Sequence, residues 1–325
     1  MSADKPTAIF LMGPTAAGKT DLSLALTERL GCEIVSVDSA LVYKGMNIGT
    51  AKPDAELRRR YPHHLIDLID PAEAYSAARF REDAFTAIQS ITGRGKIPLL
   101  TGGTMLYYKA LVEPLATMPG AHPEIREAMH QVLQKEGLAP LLAELKEVDP
   151  EAWARIDRDN PQRVLRALEV YRASGRPISR FWAESVNDGQ GSLSSEALAA
   201  FPWRLVQLCV APDDRAVLHH RIALRFKAML DQGFEAEVRQ LFERGDLHPD
   251  LPSIRSVGYR QMWHYLSGEW SYQQMTERGI IATRQLAKRQ LTWLRRWPDL
   301  TWLDSSAPRL EERAWQRLRK AGLDV

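Results

Sequence analysis

The amino-acid sequence predicts an α/β fold in which a parallel sheet is flanked by helices and is interrupted by an all-helical insertion. Short apolar runs that are typical of buried strands alternate with helical patterns, which is the usual sign of a parallel sheet covered on both faces. The alternation stops between about residues 115 and 200, where only helical patterns occur. We therefore expect a discontinuous core domain, residues 1–115 and 200–325, and a helical insertion domain, residues 116–199.

The first predicted elements of the core are a strand and a helix. The run "AIFLM" (residues 8–12) is apolar throughout and ends at a glycine, as a buried strand does. The helix that follows, "TDLSLALTERLG", carries leucines at helical spacing and a glycine at its C-terminal end. Further strands are predicted at residues 33–38, 97–103, 204–210 and 300–304, and a further helix at about residues 77–92.

Helical patterns alone fill the predicted insertion. Their sequences are "HPEIREAMHQVLQKEG", "LAPLLAELKEV", "DPEAWARI" and "NPQRVLRALEVYRASG". In the last of these, Asn160 can cap the helix, Pro161 suits its first position, and Gly175 can close its end. A polar stretch rich in glycine and serine, residues 184–196, predicts a loop before the strand signals resume.

The composition excludes several classes of protein. No run of about 20 apolar residues exists, so no membrane span is expected, and the N-terminus is too soon interrupted to be a secretory signal. Cys32 and Cys209 lie in apolar strand-like runs, which predicts buried free thiols in a reducing compartment, the cytoplasm. Because two cysteines cannot build a Cys-rich zinc site, no zinc is expected. We further expect a monomer.

The charge is unevenly distributed along the chain. The net charge is +2, yet residues 254–297 contain eight Lys or Arg and two acidic residues. Such a basic stretch favours a local anionic partner, with a solvated helix face as the alternative. The helix predicted at "ATRQLAKRQLTWLRRW" places Trp293 and Trp297 on its apolar side, which favours a core position over base stacking.

Residues 13–20, "GPTAAGKT", have the form G-x-x-x-x-G-K-[ST] of the P-loop, a phosphate-binding motif. Its glycines let the chain fold tightly round an oxyanion, with backbone N–H groups pointing inward. Lys19 supplies a cation, and the Thr20 hydroxyl can ligate Mg²⁺. The predicted phosphate-binding residues are Gly13, Pro14, Thr15, Ala16, Ala17, Gly18, Lys19 and Thr20. The motif leaves three uses open: a nucleotide hydrolysed, a phosphoryl group transferred, or a pyrophosphate expelled.

Other polar residues follow the predicted strands at the same edge of the sheet. Asp38 ends the second strand, where it could hold Mg²⁺ through water, act as a general base, or cap a turn. The "TGGT" segment, residues 101–104, ends the next strand, and its glycines permit close approach of the backbone to a ligand. His63 and His64 are predicted to have a packing or capping role rather than to bind a ligand.

A basic helix is predicted at "HHRIALRF" (residues 219–226). Arg221 and Arg225 are four residues apart and share one face of it. P-loop enzymes often bring a remote arginine onto the phosphates to stabilise transition-state charge. Taken alone, each of these arginines is more safely interpreted as a surface residue.

These stretches together resemble one family, the bacterial tRNA dimethylallyltransferases, or tRNA isopentenyltransferases. The resemblance runs from residue 13 to about residue 295 and therefore covers nearly the whole chain. The stretches that carry it are "GPTAAGKT", "SVDSALVYKGMNIGTAKP", "HHLID", "LLTGGTMLYYKAL", "DNPQRVLRALEVYRASGRPIS", "RIALRFKAMLDQGFEAEV", "LPSIRSVGYRQMW" and "ATRQLAKRQLTWLR".

The resemblance implies an activity: transfer of a dimethylallyl group from dimethylallyl diphosphate to N6 of the adenine just 3′ of the anticodon in tRNA, with Mg²⁺ as cofactor. The P-loop would then hold the leaving pyrophosphate, and Asp38 would accept the proton that the attacking amine loses. Lys19, Mg²⁺ on Thr20 and, by the family pattern, Arg221 would stabilise the charge on the leaving group.

The resemblance also implies which residues contact the anticodon stem-loop of tRNA. They fall in short stretches of both predicted domains, and the basic ones among them favour phosphate or base-edge contacts. The implied contacts are Asp38, Ser39, Ala40, Leu41, Thr104, Arg126, Gln162, Arg163, Val164, Leu165, Arg166, Arg255, Ser256, Val257, Gly258, Tyr259 and Arg260.

Three other functions share some of these features. A nucleoside or metabolite kinase would have the P-loop, the sheet and a helical lid, but it leaves the basic C-terminal third unexplained. A nucleotide-driven switch leaves "TGGT" and Asp38 without a role. Prenyl transfer to free AMP is a closer rival, and the helical insertion and the basic helix favour a larger anionic acceptor.

Overall fold

The computed structural model describes residues 5–113, 118–120, 122–184 and 193–323. The chain forms two compact units, one made of Met1–Glu113 with Leu193–Val325 and the other of Pro114–Ser192. The second unit is all-helical in its described part. It begins two residues before the predicted insertion, at Pro114, and ends at Ser192. The earlier end arises because Ser195–Ala200 forms a helix whose Ala197 and Leu198 pack on the core of the first unit.

The first unit is built on a six-stranded sheet in which every strand pair is parallel. The strand order is β3-β2-β4-β1-β5-β6. The strands are β1 (Thr7–Met12), β2 (Glu33–Val37), β3 (His63–His64), β4 (Pro98–Gly102), β5 (Arg204–Ala211) and β6 (Thr301–Asp304). The predicted α/β class, the parallel sheet and five of the strands are confirmed, with ends that differ by one residue at most. Strand β3 was not predicted, because two residues beside β2 leave no periodic pattern.

Helices cover both faces of this sheet. In the first unit they are α1 (Lys19–Leu30), α2 (Ala55–Arg60), α3 (Ala77–Gly93), α4 (Met105–Val112), α10 (Ser195–Ala200), α11 (Arg215–Asp231), α12 (Phe234–Phe242), α13 (Tyr259–Leu266), α14 (Tyr272–Leu294) and α15 (Leu310–Lys320). Alternate residues of β1 enter two different cores: Phe10 packs with the side of α3, α4, α11 and α14, and Ile9 packs with the side of α1 and α15. Both cysteines are buried and free, as predicted.

The second unit packs its own helices around its own core. They are α5 (Pro123–Glu136), α6 (Ala139–Val148), α7 (Pro150–Arg155), α8 (Pro161–Ser174) and α9 (Ile178–Glu184). Pro161 opens α8, and Gly175 ends it in the left-handed region at φ 68°. Asn160 occupies the N-cap position, but its side chain makes no capping hydrogen bond. Residues 185–192 of the predicted loop lie outside the described residues. Across the described part of the chain, no helix combines the length and the apolar character that crossing a membrane requires.

Glu33, at the start of β2, is the centre of a buried charge cluster far from the carboxyl ends of the strands. Its side chain is 6% exposed and accepts hydrogen bonds from His64 Nε2 at 2.8 Å and Arg94 at 2.6 Å, with Lys96 Nζ at 2.9 Å. Burial alone would raise its pKa, but the hydrogen bonds from these three side chains outweigh burial and lower the pKa to about 2. The ionised form of Glu33 therefore stabilises the folded state.

This cluster predicts a pH-dependent stability. Because the folded-state pKa of Glu33 lies below the ordinary value, its contribution is complete above about pH 4.5 and is lost as the pH falls towards about 2. We expect Glu33→Gln to lower the free energy of unfolding by about 2 kcal/mol at pH 7. Urea unfolding at pH 7 and pH 3 measures this. The control is Glu82→Gln on α3, because Glu82 is exposed and its carboxylate has no ion pair within the described residues. An equal loss at both pH values would contradict the assignment.

Candidate active site

The loops after β1, β2 and β4 meet at the carboxyl edge of the sheet. These strands are neighbours, and Gly102 at the end of β4 lies in register with both Met12 and Val37. The carboxyl ends of parallel strands form the usual ligand site of such sheets. The structure therefore brings together the P-loop, Asp38 and the "TGGT" segment, as the sequence predicts.

The two P-loop glycines are required for different reasons. At Gly13 an added Cβ would lie 2.2 Å from the carbonyl oxygen of Val210 on β5, so a side chain there would collide with the neighbouring strand. Gly18 has open space around it, but its φ of 92° is in the left-handed region that glycine favours. Gly18 is the N-cap residue of α1, so the loop leads directly into the positive end of that helix.

Lys19, the first residue of α1, reaches back over the loop. Its Nζ donates to the carbonyl oxygens of Gly13 at 2.9 Å and Pro14 at 2.8 Å. Burial and the positive charge of Arg225 lower the pKa of Lys19 to about 8, against the opposing effect of Asp38. The ammonium group thus sits in a poorly solvated position where an anion would stabilise its charge.

Asp38 is half-buried just past the end of β2. Its Oδ1 accepts the N–H of Ala40 at 2.8 Å. Asp38 therefore caps a turn, which was one of the roles that the sequence left open. Within the described residues its Oδ2 has no hydrogen-bond partner. Asp38, Lys19 and Arg225 line one small cavity of about 100 Å³. The turn holds the carboxylate through Oδ1 and leaves Oδ2 available for chemistry.

The same cavity offers oxygen ligands of the kind that Mg²⁺ prefers. Thr20, Ser36, Asp38 and Thr101 all line it. The hydroxyl oxygens of Ser36 and Thr101 are buried and have no hydrogen-bond partner in the part of the chain that the structure describes. Among the described residues no group of three or more His, Cys, Asp or Glu could hold a metal alone. These donors therefore fit a Mg²⁺ ion that takes its remaining ligands from phosphate oxygens and water.

The two arginines of α11 have different environments. The guanidinium of Arg221 donates to Ser305, at 2.8 Å to Oγ and 3.2 Å to the carbonyl oxygen. Arg225 has no hydrogen bond or ion pair with any described residue, and burial lowers its pKa while the nearby Asp38 carboxylate opposes this. Both line a larger cavity of about 880 Å³ beside the P-loop. Arg225 is therefore the arginine with an unused guanidinium beside Lys19 and Asp38.

A third cavity, of about 530 Å³, opens on the other side of Asp38. The predicted contacts that line it are Asp38, Ser39, Ala40, Thr104, Arg255, Ser256, Val257, Gly258 and Tyr259. Leu41 lines the small cavity instead, and Arg260 is exposed and lines neither. Thr104 Oγ1 accepts the N–H of Ser39 at 3.1 Å. Most of the predicted contacts in this unit thus surround one opening next to the carboxylate.

Two exposed apolar side chains line this third cavity among its polar residues. Leu106 is 47% exposed and Trp293 is 38% exposed, and both line the opening. The predicted core position is confirmed for Trp297, which is buried and donates to Gln207 at 2.7 Å. It is wrong for Trp293, because that residue lies on the face of α14 that turns towards the loops.

Glu237 of α12 organises one wall of this cavity. Its carboxylate accepts the N–H groups of Asn47 at 2.9 Å, Ile48 at 2.7 Å and Gly49 at 3.2 Å. It also accepts the hydroxyl of Tyr259 at 2.5 Å. Tyr259 is fully buried, so its phenol holds this wall in place and is not free to bind a ligand.

The predicted contacts of the helical unit divide into paired, exposed and buried side chains. Arg126 and Arg166 both bind the buried carboxylate of Glu169, at 2.7 Å each. Gln162 and Arg163 are exposed. The side chains of Val164 and Leu165 belong to the core of the unit, so they are not available to a partner. Arg163 is thus the basic residue of this set that is exposed and without an ion pair among the described residues.

Two residues of this site were missed in the sequence. Arg225 was recognised only as a helix neighbour of Arg221, and spacing alone could not show which guanidinium stays unpaired. Gln290 of α14 was not recognised at all, although its side chain contacts both the P-loop and Gly103. Its only signal in the sequence is its place in "ATRQLAKRQLTWLR".

Comparison with known proteins gives a consistent result. The model of the IPP transferase family matches residues 41–297 of the chain. The chain is 32% identical to the tRNA isopentenylpyrophosphate transferase of Bacillus halodurans, with a TM-score of 0.68, and the match covers 98% of this chain and 97% of that one. It is 30% identical to the corresponding transferase of Staphylococcus epidermidis, with a TM-score of 0.68 and coverage of 97% and 100%.

A eukaryotic dimethylallyltransferase acting on tRNA has the same fold. The TM-score is 0.75 at 24% identity, and the match covers 98% of this chain and 81% of that one.

Proposed function

The chain belongs to the IPP transferase family, and on that premise we propose how its candidate active site performs prenyl transfer to tRNA. The protein is an enzyme that moves a prenyl group onto tRNA. We infer that the donor is dimethylallyl diphosphate, that the acceptor is N6 of the adenine 3′ to the anticodon, and that pyrophosphate is released. The observation that carries this proposal is the convergence of Lys19, Arg225 and Asp38 on one small cavity at the P-loop.

The P-loop holds the diphosphate of the donor. Its backbone N–H groups and the N-terminus of α1 bind the phosphate oxygens. Lys19 then exchanges its two carbonyl partners for the diphosphate, and the anion favours its charged form. The P-loop thus binds the leaving group, and no bond within the diphosphate itself is broken.

Asp38 acts as the general base. The exocyclic amine of adenine is a poor nucleophile because its lone pair is delocalised into the ring. As the bond from N6 to the allylic carbon forms, the bond from that carbon to the bridging oxygen breaks, and one N6 proton passes to the Asp38 carboxylate. The turn through Ala40 orients the carboxylate for this transfer.

Positive charge stabilises the departing pyrophosphate. Lys19 and Arg225 supply it from inside the site, and Arg221 supplies it from the larger cavity beside the P-loop. Thr20 would hold Mg²⁺ with Asp38 near it, and a bound Mg²⁺ would neutralise charge on the leaving phosphate oxygens. The buried hydroxyls of Ser36 and Thr101, which lack partners, support a role for polar ligands at this point.

The acceptor adenine enters the third cavity. It must leave its stack, which requires about a few kcal/mol, and the loops around Ser39, Thr104 and Arg255 line its path to Asp38. We propose that the helical unit, Pro114–Ser192, binds the anticodon stem-loop through Arg163 and its neighbours. Since all of these residues belong to one chain, a monomer suffices, and no step requires zinc. We also propose a cytoplasmic location, which a tRNA acceptor supports.

Incubation with Mg²⁺ and dimethylallyl diphosphate, and with either an anticodon stem-loop RNA or AMP, tests the proposal. We expect prenylated adenine in the RNA and little or none in AMP. Prenylation of AMP alone would overturn the acceptor assignment. Phosphate release from ATP without any prenyl transfer would favour a kinase or a switch, which family membership argues against.

Arg163→Ala tests the RNA contact of the helical unit. We expect weaker stem-loop binding. The slope of log K against log salt, which is negative, should decrease in magnitude by about 0.7 to 1, because one phosphate contact is lost. Exposed Arg180→Ala in the same unit is the matched control and should leave the slope unchanged. Arg166 is less suitable, because its removal also leaves Glu169 with one ion-pair partner fewer. If the salt dependence of Arg163→Ala equals that of the parent protein, the Arg163 side chain does not contact the RNA.

A further inference from the structure

Gln290 joins two loops of the active site through one side chain. Its Oε1 accepts the N–H of Thr15 in the P-loop at 2.9 Å. Its Nε2 donates to the carbonyl oxygen of Gly103, in the loop after β4, at 2.9 Å. Both ends of the carboxamide are therefore engaged, one with the loop that holds the donor and one with the loop beside the base.

The fit around this side chain is close. A Cβ at Gly103 would lie 2.4 Å from Nε2 of Gln290 and 3.2 Å from the carbonyl oxygen of Gly13. A Cβ at Gly102 would lie 2.0 Å from the carbonyl oxygen of Val37. The paired glycines of "TGGT" therefore make room for protein neighbours, whereas the sequence pattern indicated close approach to a ligand. Glycine at position 103 is what lets Gln290 reach the loop backbone.

Only a carboxamide of this length matches both loops. Glutamate would keep the acceptor for Thr15 but would offer a second acceptor to the Gly103 carbonyl, which needs a donor. Asparagine has the right groups on a side chain one methylene shorter. Methionine has a similar length and volume but lacks the donor and offers only a weak sulfur acceptor.

The contacts of Gln290 extend to the base. Gly103 precedes Thr104, whose hydroxyl accepts the N–H of Ser39, and Ser39 follows Asp38. Gln290 also lines the small cavity together with Lys19 and Asp38. One continuous set of hydrogen bonds and adjacent residues thus runs from the donor loop to the carboxylate.

We propose that Gln290 is a positioning residue, which fixes the P-loop and the Gly103 loop relative to each other so that the allylic carbon and the acceptor nitrogen meet beside Asp38. This inference rests on the proposed function of the same site. Gln290 acts through the two loops and not by direct contact with the reacting atoms. A displacement of about 1 Å between reacting groups can lower a rate by about 10²-fold. Replacement of Gln290 should therefore affect turnover more than substrate binding.

The test compares Gln290→Met and Gln290→Asn with the parent, using Gln285→Met as the matched control on an exposed position of the same helix. We expect kcat to fall by about 30- to 100-fold in both Gln290 variants, with KM for dimethylallyl diphosphate and for stem-loop RNA within about three-fold of the parent. Hydrogen exchange of a peptide spanning residues 13–20 should quicken in the same variants, because the Thr15 amide loses its acceptor. The control should match the parent in all three measurements.

Other outcomes overturn the proposal. A kcat within about three-fold of the parent in a folded Gln290→Met would show that the bridge does not position the reactants. A large rise in the KM for RNA with an unchanged kcat would make Gln290 an RNA contact. If Gln290→Met unfolds, Gln290→Asn decides the question by the same criteria. If the unsubstituted protein shows no prenyl transfer, the proposed function is refuted instead. Hydrogen exchange of the peptide 13–20 would still show whether the two hydrogen bonds of Gln290 hold the P-loop in place.

Discussion

Asp38→Asn is expected to lower kcat by about 10³-fold, within the range that loss of a general base produces. Asparagine keeps the shape of the side chain and an oxygen that can accept the N–H of Ala40, so the turn after β2 is preserved. What it loses is the ability to take up the proton that N6 sheds. Because the acceptor cavity keeps its form, the dissociation constant for stem-loop RNA should remain within about three-fold of the parent value.

Single-turnover measurement with saturating donor separates these quantities. The rate of the chemical step reports the base, and fluorescence anisotropy of a labelled stem-loop reports binding. Asp38→Ala should lose at least as much activity, since it also removes the turn. If Asp38→Asn keeps a nearly normal chemical step, the proton is accepted elsewhere and Asp38 only shapes the loop.

Arg225→Met is the second variant with a large expected effect. We expect kcat to fall by about 10³-fold, comparable with the loss of an arginine that stabilises charge on transferring phosphates. Arg225 has no partner among the described residues and faces Lys19 and Asp38, so its charge is available to the leaving group. Removing it leaves the developing negative charge with one cation fewer in a poorly solvated cavity, and Lys19 remains as the cationic side chain beside Asp38.

Arg221→Met, one helical turn earlier on α11, is the matched comparison. Its guanidinium is already bound to Ser305, so we expect a loss of about ten-fold or less. Steady-state kinetics with varied dimethylallyl diphosphate measures both variants under identical conditions. A loss in Arg221→Met that equals or exceeds that in Arg225→Met would reverse the roles assigned to the two arginines.

The sheet and its loops could be predicted from the sequence because the physical signals are local. The strands β1, β2, β4 and β5 are buried apolar runs, and the strand-end rule then brings Asp38 and Gly103 to the P-loop. Strand β3 escaped prediction because a strand of two residues is too short to carry a periodic pattern. The helical unit could also be predicted from the sequence, since its helices carry residues that are typical of helix starts and ends.

The functional roles of single side chains were less predictable because they depend on tertiary neighbours. Arg221 and Arg225 are equivalent by helical spacing, and only the packing of α11 against Ser305 separates them. Gln290 is one of several polar residues on a long helix, and its importance follows from two backbone groups that are distant in sequence. The same limit applies to Val164 and Leu165, whose place in a contact segment does not reveal that they face the core.

The carboxylate of Glu237 prevents the diphosphate donor from binding at a second group of backbone N–H donors. The N–H groups of Asn47, Ile48 and Gly49 converge as they do in the backbone nests that capture phosphate elsewhere. If Glu237 did not occupy them, these N–H groups would compete with the P-loop for the diphosphate. The donor would then be bound at a position from which it cannot react. Because the Glu237 carboxylate already accepts these three N–H groups, they are not available to the diphosphate, and repulsion between the two negative charges disfavours binding of the donor at this position.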